Sequence, residues 1–407
     1  MPAADPVAHQ PSVIILGTGI TGLGVMRIVA RDGLSGFVGE ASDPLLRDSR
    51  WYRQLPGPNG SVDERSLESW LRGLSIGPAV LIPCSDQWVS RVAALDATLR
   101  ERFPASVPST DTLERFVDKG RFAELLREAG TPHPFSRILL SESDLATVPD
   151  HVFLGAILKP RDSQRFFQRF KVKAFHVRSR EDAVAQLTTL IAEGFPVILQ
   201  EYIPGPATQH YFIDGFVDRN GTVQAVFARQ RLRMYPLDFG NSTAMVSVPL
   251  DEASEAVASI TTLLGLAKYR GMFSAEFKRD LRDGVFKLLE VNTRAWWYVD
   301  FAARCGVDVV KMAYDDALGR DVQRIDSYAV GRKLVFPYPD FYACLHLWRR
   351  GELTIGGWIR SWLGAMQPVF QLNDPAPGLL SFAKTMRSFA GTRIRRLLPA
   401  AAVTHLA

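Results

Sequence analysis

Short runs of branched apolar residues, bounded by glycine and polar turns, alternate along the chain with stretches whose apolar positions recur every three or four residues. The first pattern predicts buried strands and the second amphipathic helices. Residues 12–16 (SVIIL) predict a buried strand, 23–32 a helix, 36–39 a second strand closed by Glu40, 79–83 (AVLIP) a further parallel strand, and 87–103 a helix. Leu113, Phe116, Val117, Phe122, Leu125 and Leu126 keep helical spacing, which predicts one helix over 110–130 with Gly130 as its C-cap. A strand over 153–160 ends in Lys159-Pro160, and a helix over 181–193 leads to a strand over 196–200. Residues 211–217 and 223–231 alternate around Asp218–Gly221 and predict a hairpin. A helix over 252–266, a second hairpin over 272–292 and a helix over 301–318 follow. Beyond 326, Trp348, Trp358 and Trp362 lie in an amphipathic stretch, residues 373–377 break it, and 382–398 predict a basic terminal helix.

The second hairpin holds the most informative chemistry. Glu276 and Glu290 are 14 residues apart, an even spacing that places them opposite each other across a loop of odd length. Residues 282–284, with Gly284 in the left-handed region, predict a three-residue loop. Asn292 then shares the face by alternation, and Arg294 points the same way if the strand continues. Two opposed carboxylates repel unless a cation lies between them. With an amide oxygen they form a hard-oxygen set suited to Mg²⁺. The competing reading is an amphipathic hairpin with a solvated charged face.

Composition narrows the class without naming a function. At 407 residues the chain is long enough for two or three domains. A net charge of +5 suits anionic small ligands without demanding nucleic acid. Cys84, Cys305 and Cys344 are too scattered for a disulfide framework or a metal knuckle, and no secretory leader or long apolar span is visible, so a cytoplasmic location is expected. Gly17, Gly19 and Gly22 form G-x-G-x-x-G between a strand and a helix, with Glu40 where a ribose-binding acid would sit. That match supports an alternative function, a nicotinamide or flavin dinucleotide-dependent oxidoreductase. The same glycines also serve simply to let a helix pack closely on a sheet. Asp86, just after the strand over 79–83, is placed to touch substrate or to cap a helix.

Glu276 followed by Glu290-Val-Asn292-Thr-Arg294 resembles the E…E-x-N-x-R signature that closes the active site of ATP-grasp enzymes. Other residues fall in the family's order: Asp118-Lys119, Lys159, a hinge at 200–205 and the row Arg229, Arg231, Arg233. The resemblance covers roughly residues 1–320 and lies nearest the carboxylate–amine ligase branch that includes D-aspartate ligase-like enzymes. It implies an α/β (α+β) chain: a Rossmann-like N-terminal domain over 1–110, an ATP-grasp fold of two α+β subdomains over 111–325 (lid about 130–200, catalytic part about 200–325), and a helical C-terminal extension over 326–407. It implies an ADP-forming ligase that joins a small carboxylic acid to an amine, amino acids or a peptide among the candidates, through an acylphosphate. ATP and Mg²⁺ are the implied cofactors, with Mn²⁺ a substitute. Glu276, Glu290 and Asn292 would hold the metal. Lys119, Lys159, Gln200, Glu201, Ile203, Arg231 and Arg233 would hold the nucleotide. Arg294, Arg231 and Lys159 would act in catalysis.

The sequence departs from the family at two places. Residues 161–173 replace the usual glycine-rich phosphate flap with a glycine-free basic run: Arg161, Arg165, Arg169, Lys171 and Lys173, with Ser163 near the tip and Arg178 just beyond. Ala207 stands where an acid often holds the ribose, leaving Gln209 as the nearest substitute. Trp296, Trp297 and Tyr298 follow Arg294 and would either narrow the site or pack in the core. A homodimer is compatible with the sequence, a nucleic-acid partner is not expected, and for the basic terminal helix a solvated role is favoured over contact with an acidic membrane.

Overall fold

The computed structural model describes residues 10–40, 43–55, 62, 66–160, 166, 169–172, 174–237 and 240–397. The N-terminal part is a parallel three-stranded sheet in the order β2-β1-β3, with β1 Ser12–Leu16, β2 Gly36–Val38 and β3 Ala79–Pro83. Helix Gly19–Arg31 crosses from β1 to β2 and buries Leu23, Val25 and Ile28 against Val13, Ile15 and Val80. It begins four residues before its predicted start because glycines let the chain turn at once. A Cβ on Gly17 (φ +143°) would lie 2.6 Å from the Cys84 Cβ, and one on Gly22 would lie 2.8 Å from the Gly17 carbonyl oxygen. Close approach is therefore what these glycines provide.

Two antiparallel sheets follow. β4 Ser136–Leu139, β5 Ile157–Pro160, β6 Phe175–His176 and β7 Val197–Gln200 form a four-stranded sheet in the order β4-β7-β5-β6. Helix Arg180–Ala192 packs on it through Ala183, Leu187 and Leu190. β8 His210–Val217, β9 Val223–Tyr235, β10 Asn241–Ser247, β11 Gly271–Arg279, β12 Phe286–Asn292 and β13 Lys333–Val335 form a six-stranded sheet in the order β12-β11-β8-β9-β10-β13. Its last strand comes from beyond residue 326 and pairs with β10.

Three expected helices are each split in two, at residues whose side chains cap the second half. Asp96 accepts from the Leu99 N–H between helices Asp86–Ala93 and Ala97–Arg102. Asp118 is extended (ψ 119°) and accepts from the Gly120 and Arg121 N–H groups between Thr110–Val117 and Lys119–Glu128. Asp308 caps Val309–Ala317 after Gly306 (φ +107°) ends the turn that follows Val299–Arg304. Apolar periodicity runs through all three breaks, so it hid them. The strand expected over 153–160 starts only at Ile157, after Gly155 (φ +100°).

The second hairpin forms with the predicted pairing but by another route. Glu276 does lie opposite Glu290. Nearer the turn, however, Arg279 faces Phe286 and the Asp280 N–H bonds the Val285 oxygen, so the loop is the even one, 281–284. The parity is restored by a β-bulge, because Phe277 faces Leu288 and Leu289 is the extra residue. Beyond β13, helices Pro337–Arg349, Ile355–Trp362 and Ala376–Leu397 complete the described chain. No helix among the described residues is long and apolar enough to cross a membrane.

Candidate active site

The sheet order brings β8, β9 and β10 to the carboxylates of the hairpin. The Glu276 carboxylate (Oε1) accepts from His210 Nδ1 on β8 at 2.8 Å and from Arg231 Nη2 on β9 at 2.9 Å. Arg231 is itself held by the Ser242 hydroxyl of β10, 2.8 Å from its Nε. Burial opposes ionisation of Glu276, but Arg231, the His210 hydrogen bond and Lys159 outweigh it and hold the group well below the usual carboxylate range. Burial drives His210 down to about 4, so it is neutral at physiological pH with its proton on Nδ1. Glu290 is shifted the other way: although its side chain is exposed, the protein around it and then repulsion from Glu276 push it up. Among the described residues, Glu276 thus has two donors, whereas Glu290 is opposed by Glu276 and only partly offset by the charges of Lys159 and Arg294. That imbalance, with the Asn292 amide two residues on along the same strand, fits a hard divalent cation. Among the described residues there is no cluster of three or more His, Cys, Asp or Glu ready to hold a metal, so a cation here depends on the two carboxylates and the amide.

The three arginines of β9 share a face yet have different roles. Arg229 forms a buried ion pair with Asp214 of β8, Nε to Oδ2 2.6 Å, and lies over the Phe212 ring. Arg233 turns away from the carboxylates to a buried two-point pair with Asp340, at 2.9 and 2.7 Å. Only Arg231 points to Glu276. Arg233, expected to face a phosphate, is engaged by the segment beyond β13, which no local pattern in β9 reveals.

Lys159 on β5 of the four-stranded sheet is near enough for its charge to act on the same carboxylates. Burial lowers its pKa, and the charges of Glu290 and Glu276 oppose that shift. Lys119 is exposed at the first turn of its helix. In the hinge, the Gln200 amide donates to the Ser136 hydroxyl, and Glu201 accepts from the Phe135 N–H and pairs with Arg282 at 2.5 Å. The Glu201 side chain therefore clamps β4 to the hairpin tip, and Ile203, two residues on, is buried. Arg161, Ser163, Arg165 and Lys173 of the basic run lie outside the described residues. Arg169 pairs with Glu193, and Gln209 ends a 3-10 turn over Ala207–Gln209.

Reading the sequence alone missed two groups. One is His210, discussed above. The other is Lys278, which is 4 % exposed, two residues from Glu276 on the same face, with its ammonium 4.9 Å from the Tyr202 ring centroid. Burial, reinforced by Arg231, lowers Lys278 to about 8. A lysine among strand cations carried no distinguishing signal; only its burial sets it apart.

At the cleft mouth Arg294 pairs with Asp86 of the N-terminal part, Nε to Oδ1 3.0 Å and Nη2 to Oδ2 3.3 Å. Asp86 does not cap its helix, since Ser85 does. Trp296 is buried, Trp297 is 44 % exposed, and the Tyr298 hydroxyl donates to the Ser242 carbonyl, so two of the three aromatics pack and one faces outward. Asp300 is taken by Arg31 and Gln371. Burial pushes the Cys84 thiol up to about 12, which removes it as a nucleophile. A separate cleft of about 1090 Å³, lined by Arg100, Ser109, Arg219, Lys268 and Arg270 among others, includes none of these site residues.

The glycine turn is not free to take a pyrophosphate. The Gly19 N–H donates to the Asp43 carboxylate, which also caps the next turn through the Leu45 N–H. The anion position at that helix N-terminus is filled by the chain itself. Glu40, the expected ribose acid, accepts from the Trp88 indole N–H. The dinucleotide alternative is therefore not supported.

No protein-family model matches the chain. Over 248 residues it is 24 % identical to D-aspartate ligase from Enterococcus faecium, and the match spans 58 % of each chain. Among solved structures it resembles phosphoribosylglycinamide synthetase from Anaerococcus prevotii (15 % identity, TM-score 0.57, 77 % of this chain and 76 % of that one). It also resembles the biotin carboxylase domain of 2-oxoglutarate carboxylase from Hydrogenobacter thermophilus (17 %, 0.61, 80 % and 74 %) and L-amino acid ligase from Bacillus licheniformis (14 %, 0.53, 77 % and 75 %). At these identities the structural likeness speaks to fold, and the expected mixed α/β class is the one found. With its three sheets in this order, the chain shares the fold of these synthetase, carboxylase and ligase structures.

Proposed function

We propose that the protein is an ATP-dependent carboxylate–amine ligase that releases ADP and phosphate. The observation that carries this reading is the opposed pair Glu276 and Glu290, one satisfied by Arg231 and His210 and the other shifted up by its neighbour, with the charge of Lys159 acting on both. Supporting it are the relative named D-aspartate ligase and the solved neighbours, one of them a complex with MgADP and another a ligase of L-amino acids. Glu276, Glu290 and Asn292 would hold Mg²⁺, which would supply charge neutralisation at ATP phosphate oxygens. Lys159 and Arg231 add fixed positive charge beside the same carboxylates. Lys278 and Tyr202, with the 200–203 backbone, form a wall for the nucleotide.

Arg294 already holds one carboxylate, that of Asp86. Asp86, the partner in this two-point pair, is exposed while Arg294 is mostly buried, so a substrate acid can take the place of the Asp86 carboxylate on a guanidinium that is already held in position. The substrate carboxylate attacks the γ-phosphorus, ADP leaves, and an acylphosphate forms. The amine then attacks the acyl carbon and phosphate leaves. The protein contributes position and charge rather than a covalent nucleophile. The free thiols Cys84, Cys305 and Cys344, all buried, agree with a reducing cytoplasm.

The test is ADP release with Mg-ATP across amino acids and small carboxylic acids, with hydroxylamine as trap. Acid-dependent release with a hydroxamate product is expected, and Glu290→Gln should lower it at least about a hundredfold. Nucleotide binding with no acid-dependent release, or full activity in Glu290→Gln, would sink the proposal.

A further inference from the structure

The positive charge of the chain is unevenly placed. Residues 326–407 hold ten Lys and Arg against four Asp and Glu, while residues 1–325 hold 38 against 39. Two of those four acids do not face solvent. Asp340 and Asp374 are buried and taken by Arg233 and Arg27. From 353 to 407 Asp374 is the sole acid, against six Lys and Arg, of which Arg360 and Lys384 are exposed.

Exposed apolar side chains gather in the same region. Of the 20 large hydrophobic side chains exposed among the described residues, 12 lie between Val330 and Met386, far more than that length of chain would hold by chance. On helix Ile355–Trp362 and its cap, Ile355, Ile359 and Leu363 recur every four residues at 55 %, 56 % and 69 % exposure. Arg349, Arg350 and Arg360 are exposed beside them. Helix Ala376–Leu397 contains no acid. By the 3.6-residue period its positions 379, 382, 386, 390, 394 and 397 fall on one mostly apolar half, which also takes Arg387 and Arg393, while Ser381, Ser388, Thr392, Arg395 and Lys384, paired with Asp48, fall on the other. Leu379, Phe382 and Met386 on the apolar half are exposed.

Large apolar side chains in such number mark a contact surface. A second copy is a poor occupant, because a self-complementary contact would set one basic surface against another. The occupant must be anionic and must accept separate apolar side chains set among cations. We propose that helices Ile355–Trp362 and Ala376–Leu397 dock on an anionic lipid bilayer, lying in its interface with their apolar faces among the acyl chains. No described helix is long and apolar enough to cross a membrane. The inference is independent of the ligase reading.

The experiment is flotation of the full-length protein with vesicles of phosphatidylcholine alone and with about 30 % phosphatidylglycerol, at about 0.15 M salt. Binding to the anionic vesicles is expected, with at least about tenfold less on neutral ones and release at high salt. Ile359→Glu with Phe382→Glu should cut binding about tenfold, and so should Arg395→Gln with Arg396→Gln. All four positions lie outside the candidate active site, and matching thermal melts show that each variant is folded. Absence of binding, equal binding to neutral vesicles, or binding untouched by either variant overturns the proposal. Polyglutamate captured as tightly as the vesicles would favour an acidic protein partner, and self-association abolished by Ile359→Glu would favour a second copy; either result overturns it too.

Discussion

Glu276 and Glu290 show how two identical side chains become different groups. Glu276 receives two donors from strands 45 and 66 residues away in sequence, while Glu290 receives the repulsion of Glu276. In buffer free of divalent cations, Glu276→Gln should therefore cost about 1–3 kcal/mol, because it leaves Arg231 without its anion. Glu290→Gln should leave the thermal midpoint unchanged or raise it, because it removes a like charge. Thermal melts of the two variants check the contrast, and equal destabilisation would refute it. The carboxylates and Asn292 were legible because they lie on one hairpin with period 2. His210 was not, since a lone histidine on a strand acquires a role only when β11 becomes the neighbour of β8.

At the scale of the element, caps decide what periodicity cannot. Asp308 starts helix Val309–Ala317 by accepting from the Lys311 N–H. Burial, then the charge of Asp32, pushes its carboxyl from 3.8 up to about 6. The folded chain thus takes up a proton that the unfolded chain does not. Stability associated with this group is present below about pH 4 and is lost as pH rises through about 6. Asp308→Asn keeps the cap, since asparagine serves as well. It should be more stable than the parent above pH 6, by the order of 1 kcal/mol, with the difference vanishing below about pH 4. Denaturant titrations at pH 4 and pH 7.5 measure it, and a constant difference would exclude the ionisation argument. The arginines of β9 carry the same lesson. A shared face was readable, but Asp214, Glu276 and Asp340, which sort the three, come from three different elements.

For the whole molecule, the region beyond residue 326 is stitched into the rest. Arg27 donates to the Asp374 carboxylate at 2.9 Å and to the carbonyls of Pro368, Val369 and Asp374. Ser49 and the Arg50 N–H complete the same carboxylate. Asp374→Ala leaves a buried guanidinium with no anion and should cost about 3 kcal/mol or more. Limited proteolysis should then cut around residues 366–375 well before the parent chain is cut. Unchanged protease resistance would show that the stitch contributes nothing to holding this segment.

The sequence by itself determined the alternation of strands and helices, the opposed carboxylates and the order of the motifs. All of these depend on residues near one another along the chain, where side-chain period and turn chemistry act directly. Only the tertiary structure decided that a bulge at Leu289, and not an odd loop, sets the pairing of Glu276 with Glu290. It also decided that Asp43 fills the glycine turn, that Arg231 alone among the three arginines pairs with Glu276, and that Asp86 reaches Arg294. Each of these depends on which distant segments become neighbours, and local periodicity holds no record of that.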